Sequence, residues 1–591
     1  MYISRVQIKN FRNFASLDVP LSQNIVMLGA NRAGKSNFIY ALRLVLDIVL
    51  PDSARQLKLS DIWDGADLAT SPGVEIHLDF VEFDADPART TLLTDYRLAS
   101  DYRTARLSYV FRKKSEVSGP PQSEADYDFK LFGGGDETRS FRTDLRRRIC
   151  LDLLHALRDA ENDLASWRVS PLRPLLENAV AQVPRADLDA LTADIANATD
   201  RLSNLPAISA LETSLRNDIA ELAGPIHDVR PKLGFAAMES MRLFRSIGFF
   251  IDDGKRGIAD ASLGAANVTL LALKLAEFGW RQQKNERNYT VLCVEEPEAH
   301  LHPQLQRKVF QKIFTEKTSE SHALLLTTHS PNIAGIAPLN SIVLLKPTPD
   351  RGTEAFSLAG LALTAEEFED LQRYLNATRA EILFSNGILF VEGDAEEALM
   401  PGFAASCGHN LDELGITVCN VAGVNFRPYV KLAAALAIPY AVITDWDPID
   451  PNAPLGRKRI LDLFDATQEI RNNPVLDATT KGALVANDEL LRTEMGKAGL
   501  FVNTSTLEVE IAQTPALVNS LLAVLEEEGF GAKRKRRLAA WKADPKTVDS
   551  EQLLSMIADV GKGRLAGRLA RKTAGLPPPP YIRAAIDFLI A

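Results

Sequence analysis

The sequence predicts an α/β chain in which two open, largely parallel sheets follow one another. Three observations carry that reading. At 25–42 a short apolar strand runs into a glycine-rich loop and then a helix, "IVMLGANRAGKSNFIYAL". Two later apolar runs, Val291–Val294 and Ala323–Leu326, stop abruptly at polar residues. From residue 387 onward strand and helix patterns alternate, with "GILFVE", "GITVCNVA" and "IPYAVITDWD" as the strands. Near-continuous apolar runs suit strands buried on both faces, and a βαβαβ series implies parallel pairing with right-handed crossovers.

Bulk properties narrow the class. A chain of 591 residues exceeds a single core, and roughly two to four domains are expected. It is 46% hydrophobic and 24% charged with a net charge of −10, an ordinary globular composition. No apolar run reaches the ~18–20 residues of a membrane span. The opening "MYISRVQIKNF" alternates like a strand and lacks the form of a signal peptide. Cys150, Cys293, Cys407 and Cys419 include no CxxC pair, so neither a zinc module nor a disulfide framework is indicated. A cytoplasmic protein without a membrane partner is the expectation. Charge is unevenly spread: residues 533–572 hold 12 Lys/Arg against 4 Asp/Glu. Such a stretch is either a solvated helical face or a contact for phosphate backbones.

"GANRAGKS" is G-x-x-x-x-G-K-S in the strand–loop–helix context that this pattern requires. Gly29 and Gly34 let backbone amides turn inward toward phosphate, and the helix that follows presents its positive end. Lys35 is expected to reach the β- and γ-phosphates of ATP and Ser36 to hold Mg²⁺, with Asn31 and Asn37 also at the nucleotide. Next, "GVEIHLDFVEF" and "ARLSYVFRKK" alternate as antiparallel strands. From Leu151 to Leu222 leucine and alanine recur at three- and four-residue steps, which predicts several helices. These form either a dimerisation arm or a lid on the chain's own sheet. "YTVLCVEEPEAHLHP" ends its strand in Glu295 and Glu296. One acid at such a tip can hold magnesium, and a second can polarise an attacking water. "ALLLTTHSP" ends at His329, whose neutral ring can sense a γ-phosphate.

In this order the motifs resemble ABC-type ATPases of the SMC and RecF kind. That resemblance puts Ser262, Gly264 and Asn267 of "DASLGAANVTLLAL" in the signature slot, which reads the γ-phosphate across a dimer. The stretch departs from the usual LSGGQ, and Glu295 stands where an Asp is usual. The resemblance implies a homodimer sandwiching two ATP molecules, with the helical insertion as its arm. Glu296 and His329 become the catalytic residues of that site.

The second series has its acids at C-terminal strand ends, where ligands of open α/β sheets bind. Glu392 follows one strand, and Asp445 and Asp447 follow another. Three such carboxylates repel unless they hold a cation, and hard oxygen ligands suit Mg²⁺ or Mn²⁺. E-G followed by D-x-D resembles the Toprim domains of topoisomerases, primases and nucleases. An ABC-type head fused to Toprim resembles the OLD (overcoming lysogenization defect) family over essentially the whole chain. The resemblance adds Glu396 from "VEGDAEE", Glu508 in preference to Glu510 from "TSTLEVEI", and Lys562 from "GKGRLAGRLA". It implies two divalent ions, one at Glu392, Glu396 and Asp445, the other at Asp447 and Glu508. Lys562 would offset charge on the phosphate under attack.

The expected architecture is an ABC/SMC-like P-loop ATPase with a helical dimerisation insertion, then a Toprim α/β domain with a basic C-terminal helical region. Its parts are 1–150 and 231–375 for the ATPase, 151–230 for the insertion and 376–591 for Toprim. The expected function is an ATP-hydrolysing, divalent-metal-dependent DNA endonuclease in phage defence or DNA repair. Some relatives act beside a helicase-like partner. A type IA topoisomerase would need a large gated domain carrying a tyrosine nucleophile, and no remaining segment is long enough. The non-nuclease alternative is an SMC/RecF-like DNA-binding ATPase whose Toprim acids are not catalytic.

Overall fold

The computed structural model describes residues 1–155, 163–223 and 247–591, less positions 69, 71, 72, 118, 142, 165, 167–169, 204, 248, 285, 317–321, 376–378, 449, 451 and 452. The boundary expected at 230–231, and the start expected at 376, lie outside the described residues. By internal contacts the chain forms two compact units. One comprises Met1–Leu154, Tyr289–Glu298 and Pro303–Ala591; the other comprises His155–Asn288 and Ala299–His302.

The first unit begins on one long sheet. Strands β1 (Tyr2–Phe11) and β2 (Phe14–Pro20) form a hairpin, and β3 (Ile25–Gly29) leads through the glycine loop into α1 (Lys35–Leu46). Strands β4 (Val74–Val81), β5 (Asp101–Lys113), β6 (Tyr127–Gly133) and β7 (Asp136–Ser140) add an antiparallel layer. The rest comes from β8 (Ile149–Leu154), β9 (Tyr289–Glu295), β10 (His322–Thr327), β11 (Ile342–Thr348) and β12 (Gly352–Ser357). The order is β7-β6-β5-β4-β1-β2-β12-β11-β3-β10-β9-β8. From β11 to β8 the neighbours are parallel. β3 is buried at every position, as a strand with parallel neighbours on both edges should be. α1 sinks Phe38, Leu42 and Val45 into one core with Ile8, Val291 and Leu325. The helical pattern expected from Leu151 starts later than its spacing suggested. Ile149–Leu154 is a strand paired in parallel with β9, and that ladder outweighs a short three–four periodicity.

Within the second unit lie α2 (Leu172–Ala181), α3 (Arg185–Ser203), α4 (Pro206–Ala223) and α5 (Leu263–Gln283). α2 packs on α5. Leu191 of α3 and Leu211 of α4, with Leu205 between them, are about half exposed.

The first unit continues into a second sheet. Its strands β13 (Gly387–Val391), β14 (Ile416–Asn420), β15 (Tyr440–Thr444) and β16 (Leu500–Val502) run parallel in the order β14-β13-β15-β16. Helices α6 (Asp394–Ser406), α7 (Arg427–Ala435) and α8 (Leu455–Ile470) connect or follow them, and α9 (Leu507–Gln513) follows β16. A helical region closes the chain: α10 (Ala532–Ala543), α11 (Ser550–Val560), α12 (Lys562–Lys572) and α13 (Pro580–Ile590). α12 buries Leu565 and Leu569 beside Leu399 and Phe403 of α6, each such leucine contributing about 1.5–3 kcal/mol. That packing seats the first residue of α12, Lys562, over the sheet's C-terminal edge.

Among the described residues, several contacts join the sheets. The short helix Pro331–Ala334, just past His329, packs on the turn Arg379–Phe384 that feeds β13. The Lys346 ammonium of β11 donates to the Ala437 carbonyl at 2.8 Å, shortly before β15. Burial pulls the pKa of this lysine down.

Candidate functional site

The glycine loop needs its glycines. Gly29 (φ 152°) and Gly34 (φ 98°) occupy backbone conformations that other residues rarely adopt. A Cβ on Gly29 would meet the Leu345 carbonyl at 2.7 Å, and one on Gly34 would strike the Asn13 amide. Asn31, Gly34, Lys35, Ser36, Asn37, Glu296 and His329 line one cavity of about 370 Å³. Lys35 is buried and donates to the carbonyls of Gly29 (2.8 Å) and Ala30 (3.1 Å). Burial lowers its pKa, with Glu296 and Glu298 acting the other way. The Ser36 hydroxyl donates to Glu295 Oε1 at 2.9 Å, which joins two residues expected to share one cation. Glu296 has a left-handed backbone (φ 43°) just past β9, with its N–H on the Thr327 carbonyl at 2.9 Å. Burial, and after it the Lys35 charge, lowers the pKa of His329 and keeps its ring neutral at physiological pH.

Sequence reasoning missed two residues that hold this site in shape. Glu298 accepts from the Thr328 hydroxyl at 2.9 Å and the His329 N–H at 2.7 Å, fixing the loop that carries the histidine. Asn13 donates to the Ala33 carbonyl (3.1 Å) and accepts from Asn37 (2.6 Å), bracing the phosphate loop from the β1–β2 turn. Neither belongs to a spacing pattern; only the "PEAH" after the paired acids hinted at Glu298. Ser262 and Gly264 lie in the second unit. Ser262 caps α5 by accepting from the Ala265 N–H at 3.3 Å, and Asn267 donates to the Ala299 carbonyl at 3.4 Å. A Cβ on Gly264 would meet the His300 carbonyl at 2.6 Å, so packing alone already requires that glycine.

At the second sheet the acids gather at adjoining strand ends. Glu392 follows β13, Asp445 and Asp447 follow β15, and Glu508 opens α9 just after β16. Each of these four has one oxygen held by protein donors. Glu392 Oε1 accepts from the Thr444 hydroxyl, the Asp445 N–H (2.9 Å) and Arg459 (2.8 Å). Asp445 Oδ1 accepts from Asn503 (2.6 Å) and the Leu507 N–H (3.1 Å). Asp447 Oδ2 accepts from Arg459 at 2.9 Å, and Glu508 Oε1 pairs with Lys562 at 3.0 Å. The other oxygen of Glu508, Oε2, is buried without a hydrogen-bond partner. Glu510 is engaged elsewhere, accepting from the Thr504 N–H at 2.7 Å.

The electrostatics are those of crowded, buried acids. Asp445 is pushed up to about 8, by burial first and then by Glu392. Glu396, also buried, rises to about 7 through burial and the charges of Glu508 and Glu392. Burial pulls the Lys562 ammonium down, but Glu508, Asp445 and Glu396 outweigh it and leave its pKa raised. Arg459 and Asn503 went unnoticed in the sequence. The first lies twelve positions past Asp447 and the second just past β16, with no motif to mark either.

The donor set fits a divalent cation. It consists of carboxylate oxygens, and a buried carboxylate oxygen with no partner is an expensive arrangement unless a ligand completes it. Among the described residues no three of these side chains yet converge as a metal-binding group; Arg459 and Lys562 supply the positive charge between them.

The basic run is only partly available. Arg568, Lys572 and Lys542 pair with Glu528, Glu527 and Glu526, and Arg534 pairs with Asp559. Lys533, Lys535 and Arg536 at the start of α10 are exposed. No described helix is long and apolar enough to cross a membrane.

A phosphate loop with its acids and histidine at parallel strand ends, continued by a four-stranded parallel sheet with acids at the same ends, defines a P-loop ATPase joined to a Toprim domain. The comparisons agree. Residues 25–335 match the family "AAA domain, putative AbiEii toxin, Type IV TA system", and residues 383–447 match "Overcoming lysogenization defect protein-like, TOPRIM domain". The OLD nuclease of Thermus scotoductus is 24% identical over 484 residues, covering 80% of this chain and 88% of that protein. Endonuclease GajA of Bacillus cereus is 22% identical over 479 residues, covering 78% of each. A solved structure, the C-terminal region of the Burkholderia pseudomallei OLD protein, is 40% identical; the match covers 35% of this chain and 98% of that one, with a TM-score of 0.30. The chain belongs to the OLD family. Its domains imply use of a nucleotide and of divalent metal.

Proposed function

We propose that the chain is an ATP-hydrolysing, divalent-metal-dependent DNA endonuclease that nicks or cleaves DNA at the Toprim centre. One observation carries this reading: four carboxylates at adjoining strand ends each have one oxygen tied by the protein, and Glu508 Oε2 is left buried and unpartnered beside Lys562. Glu392, Glu396 and Asp445 would hold one ion, Asp447 and Glu508 the other. Bound there, Mg²⁺ or Mn²⁺ would lower the pKa of an attacking water and neutralise the departing 3′ oxygen. The chain's own part is to hold the acids in register and to offset part of their negative charge with Lys562 and Arg459. Lys562 would meet the phosphate under attack, and Lys533, Lys535 and Arg536 would contact the DNA backbone.

In the ATPase, Lys35 would grip the β- and γ-phosphates, Ser36 and Glu295 would hold Mg²⁺, and Glu296 would orient water with His329 sensing the γ-phosphate. Ser262 and Gly264 would complete the site from a second copy. Exposed leucines on the helical segment support a homodimer through it. The names of two relatives, OLD nuclease and endonuclease GajA, support nucleic-acid cleavage, and DNA as the substrate and phage defence or DNA repair in the cytoplasm as the setting belong to the same proposal. A plasmid-nicking assay on the full chain tests the reading. Wild type should convert supercoiled DNA to open circle with Mg²⁺ or Mn²⁺ and be inert in EDTA, and Asp445→Asn should be inert throughout. Wild type that never cuts with any divalent ion would leave a DNA-binding ATPase.

A further inference from the structure

The proposed reaction leaves the positioning role of one largely enclosed cation of the Toprim centre, Arg459, unassigned. Arg459 lies on α8, its side chain only 11% exposed. Its Nη1 donates to Glu392 Oε1 (2.8 Å), to the Thr444 hydroxyl and to the Asp445 carbonyl (3.1 Å), while Nη2 donates to Asp447 Oδ2 (2.9 Å). One planar group thus spans the ends of β13 and β15. The start of α8 is shaped to bring it there. A Cβ on Gly456 would meet the Asp445 carbonyl at 2.5 Å and Trp446 Cα at 2.8 Å, so the helix approaches the D-x-D backbone as closely as only glycine permits. Gly456 also donates its N–H to the Trp446 carbonyl at 3.0 Å. Asp447 itself has a left-handed backbone (φ 47°), a costly conformation that persists only where surrounding contacts impose it.

We infer that Arg459 is a positioning residue for the metal ligands: its guanidinium fork fixes Glu392 and Asp447 by one oxygen each, so that the other oxygen of each stays available to a divalent ion. The inference rests on the metal-dependent reading above. Two simpler roles compete with it. Arg459 could serve only as counter-charge for the acids, or only as a packing element of α8. The fork separates the first from the proposal, because an ammonium is a single point charge and cannot reproduce two fixed donors on two acids. Metal binding separates the second, because a packing role changes stability without changing affinity for the ion.

The test is Mn²⁺ titration of the full chain by electron paramagnetic resonance and calorimetry, with the ATPase rate as the check on folding. Arg459→Ala and Arg459→Lys should both weaken Mn²⁺ binding at the Toprim centre about 10–100-fold, the usual effect of removing a residue that orients a ligand. Both should keep the wild-type ATPase rate. The Lys variant retains charge and most of the side chain, so it decides the matter if the Ala variant does not fold. Wild-type affinity in Arg459→Lys shows that charge alone suffices and overturns the inference, as does wild-type affinity in Arg459→Ala. A wild-type chain that binds Mn²⁺ only where Asp445→Asn leaves it undiminished overturns the metal reading, and this inference with it.

Discussion

Asp445 offers a test that needs no substrate. Its carboxyl is pushed from 3.8 to about 8, chiefly by burial. A folded-state pKa above the unfolded one means the group supports folding below about pH 4 and withdraws that support as pH rises to about 8. At roughly 1.4 kcal/mol per unit, about four units set a ceiling near 6 kcal/mol. Charge shared with Glu392, Glu396 and Glu508, together with local relaxation, should leave about 2–3 kcal/mol recoverable by one substitution. Asp445→Asn keeps Oδ1 as the acceptor for Asn503 and the Leu507 N–H but removes the charge. In EDTA the variant and wild type should therefore melt together near pH 4 and diverge as pH rises. By pH 8–9 the variant should stand about 5–10 °C higher, taking roughly 2–4 °C per kcal/mol. Mn²⁺ should raise the wild-type midpoint increasingly with pH and raise that of the variant less, because only the ion held through Asp445 is lost. Parallel melting curves for the two proteins from pH 5 to 9 in EDTA would refute the argument, since Asp445 would then carry no buried charge.

Further outcomes follow from the two sites. Lys35→Ala should abolish ATP hydrolysis in the full chain while metal-dependent nicking persists; loss of nicking with a folded Toprim domain would tie the sites together. Lys562→Ala should lower single-turnover cleavage at saturating DNA about 10²–10³-fold while Mn²⁺ still binds. An unchanged rate there takes Lys562 out of the active site and leaves it a backbone contact. Removing the helical segment from Leu172 to Ala223 should yield monomers in sedimentation, and a deletion that stays dimeric would put the interface elsewhere.

What could be read from the sequence was what local spacing encodes. The phosphate loop, the paired acids at the end of β9 and the E-G and D-x-D strand ends follow from runs of apolar residues and the polar residue that stops them. Arg459 could not be read that way. It acts through the approach of α8 to the β15 end, and Gly456 announces that approach only once the strand it touches is known. Asn503 and Glu298 are likewise defined by what they reach across the fold. The β8 strand was hidden because a leucine-rich edge strand and a helix share short-range apolar spacing. The count of basic residues over 533–572 overstates the free charge for a different reason. Glu526–Glu528 lie just outside that window and neutralise Lys542, Lys572 and Arg568 across the helical region.

Lys346 and Ala437 bear on how such a chain can change over generations. A half-buried ammonium loses much of its hydration, and here one carbonyl from the other sheet partly replaces it. That carbonyl belongs to Ala437, itself in a left-handed turn (φ 49°). A new ATPase head spliced onto this Toprim domain would have to present a lysine at the same height of its last parallel strand, or leave the turn without its donor. Because the acceptor is a main-chain carbonyl, a new Toprim domain need only repeat the course of that turn, whatever residue stands there. The contact, worth about 1 kcal/mol, therefore constrains the path of the backbone where the halves meet rather than the sequence on either side.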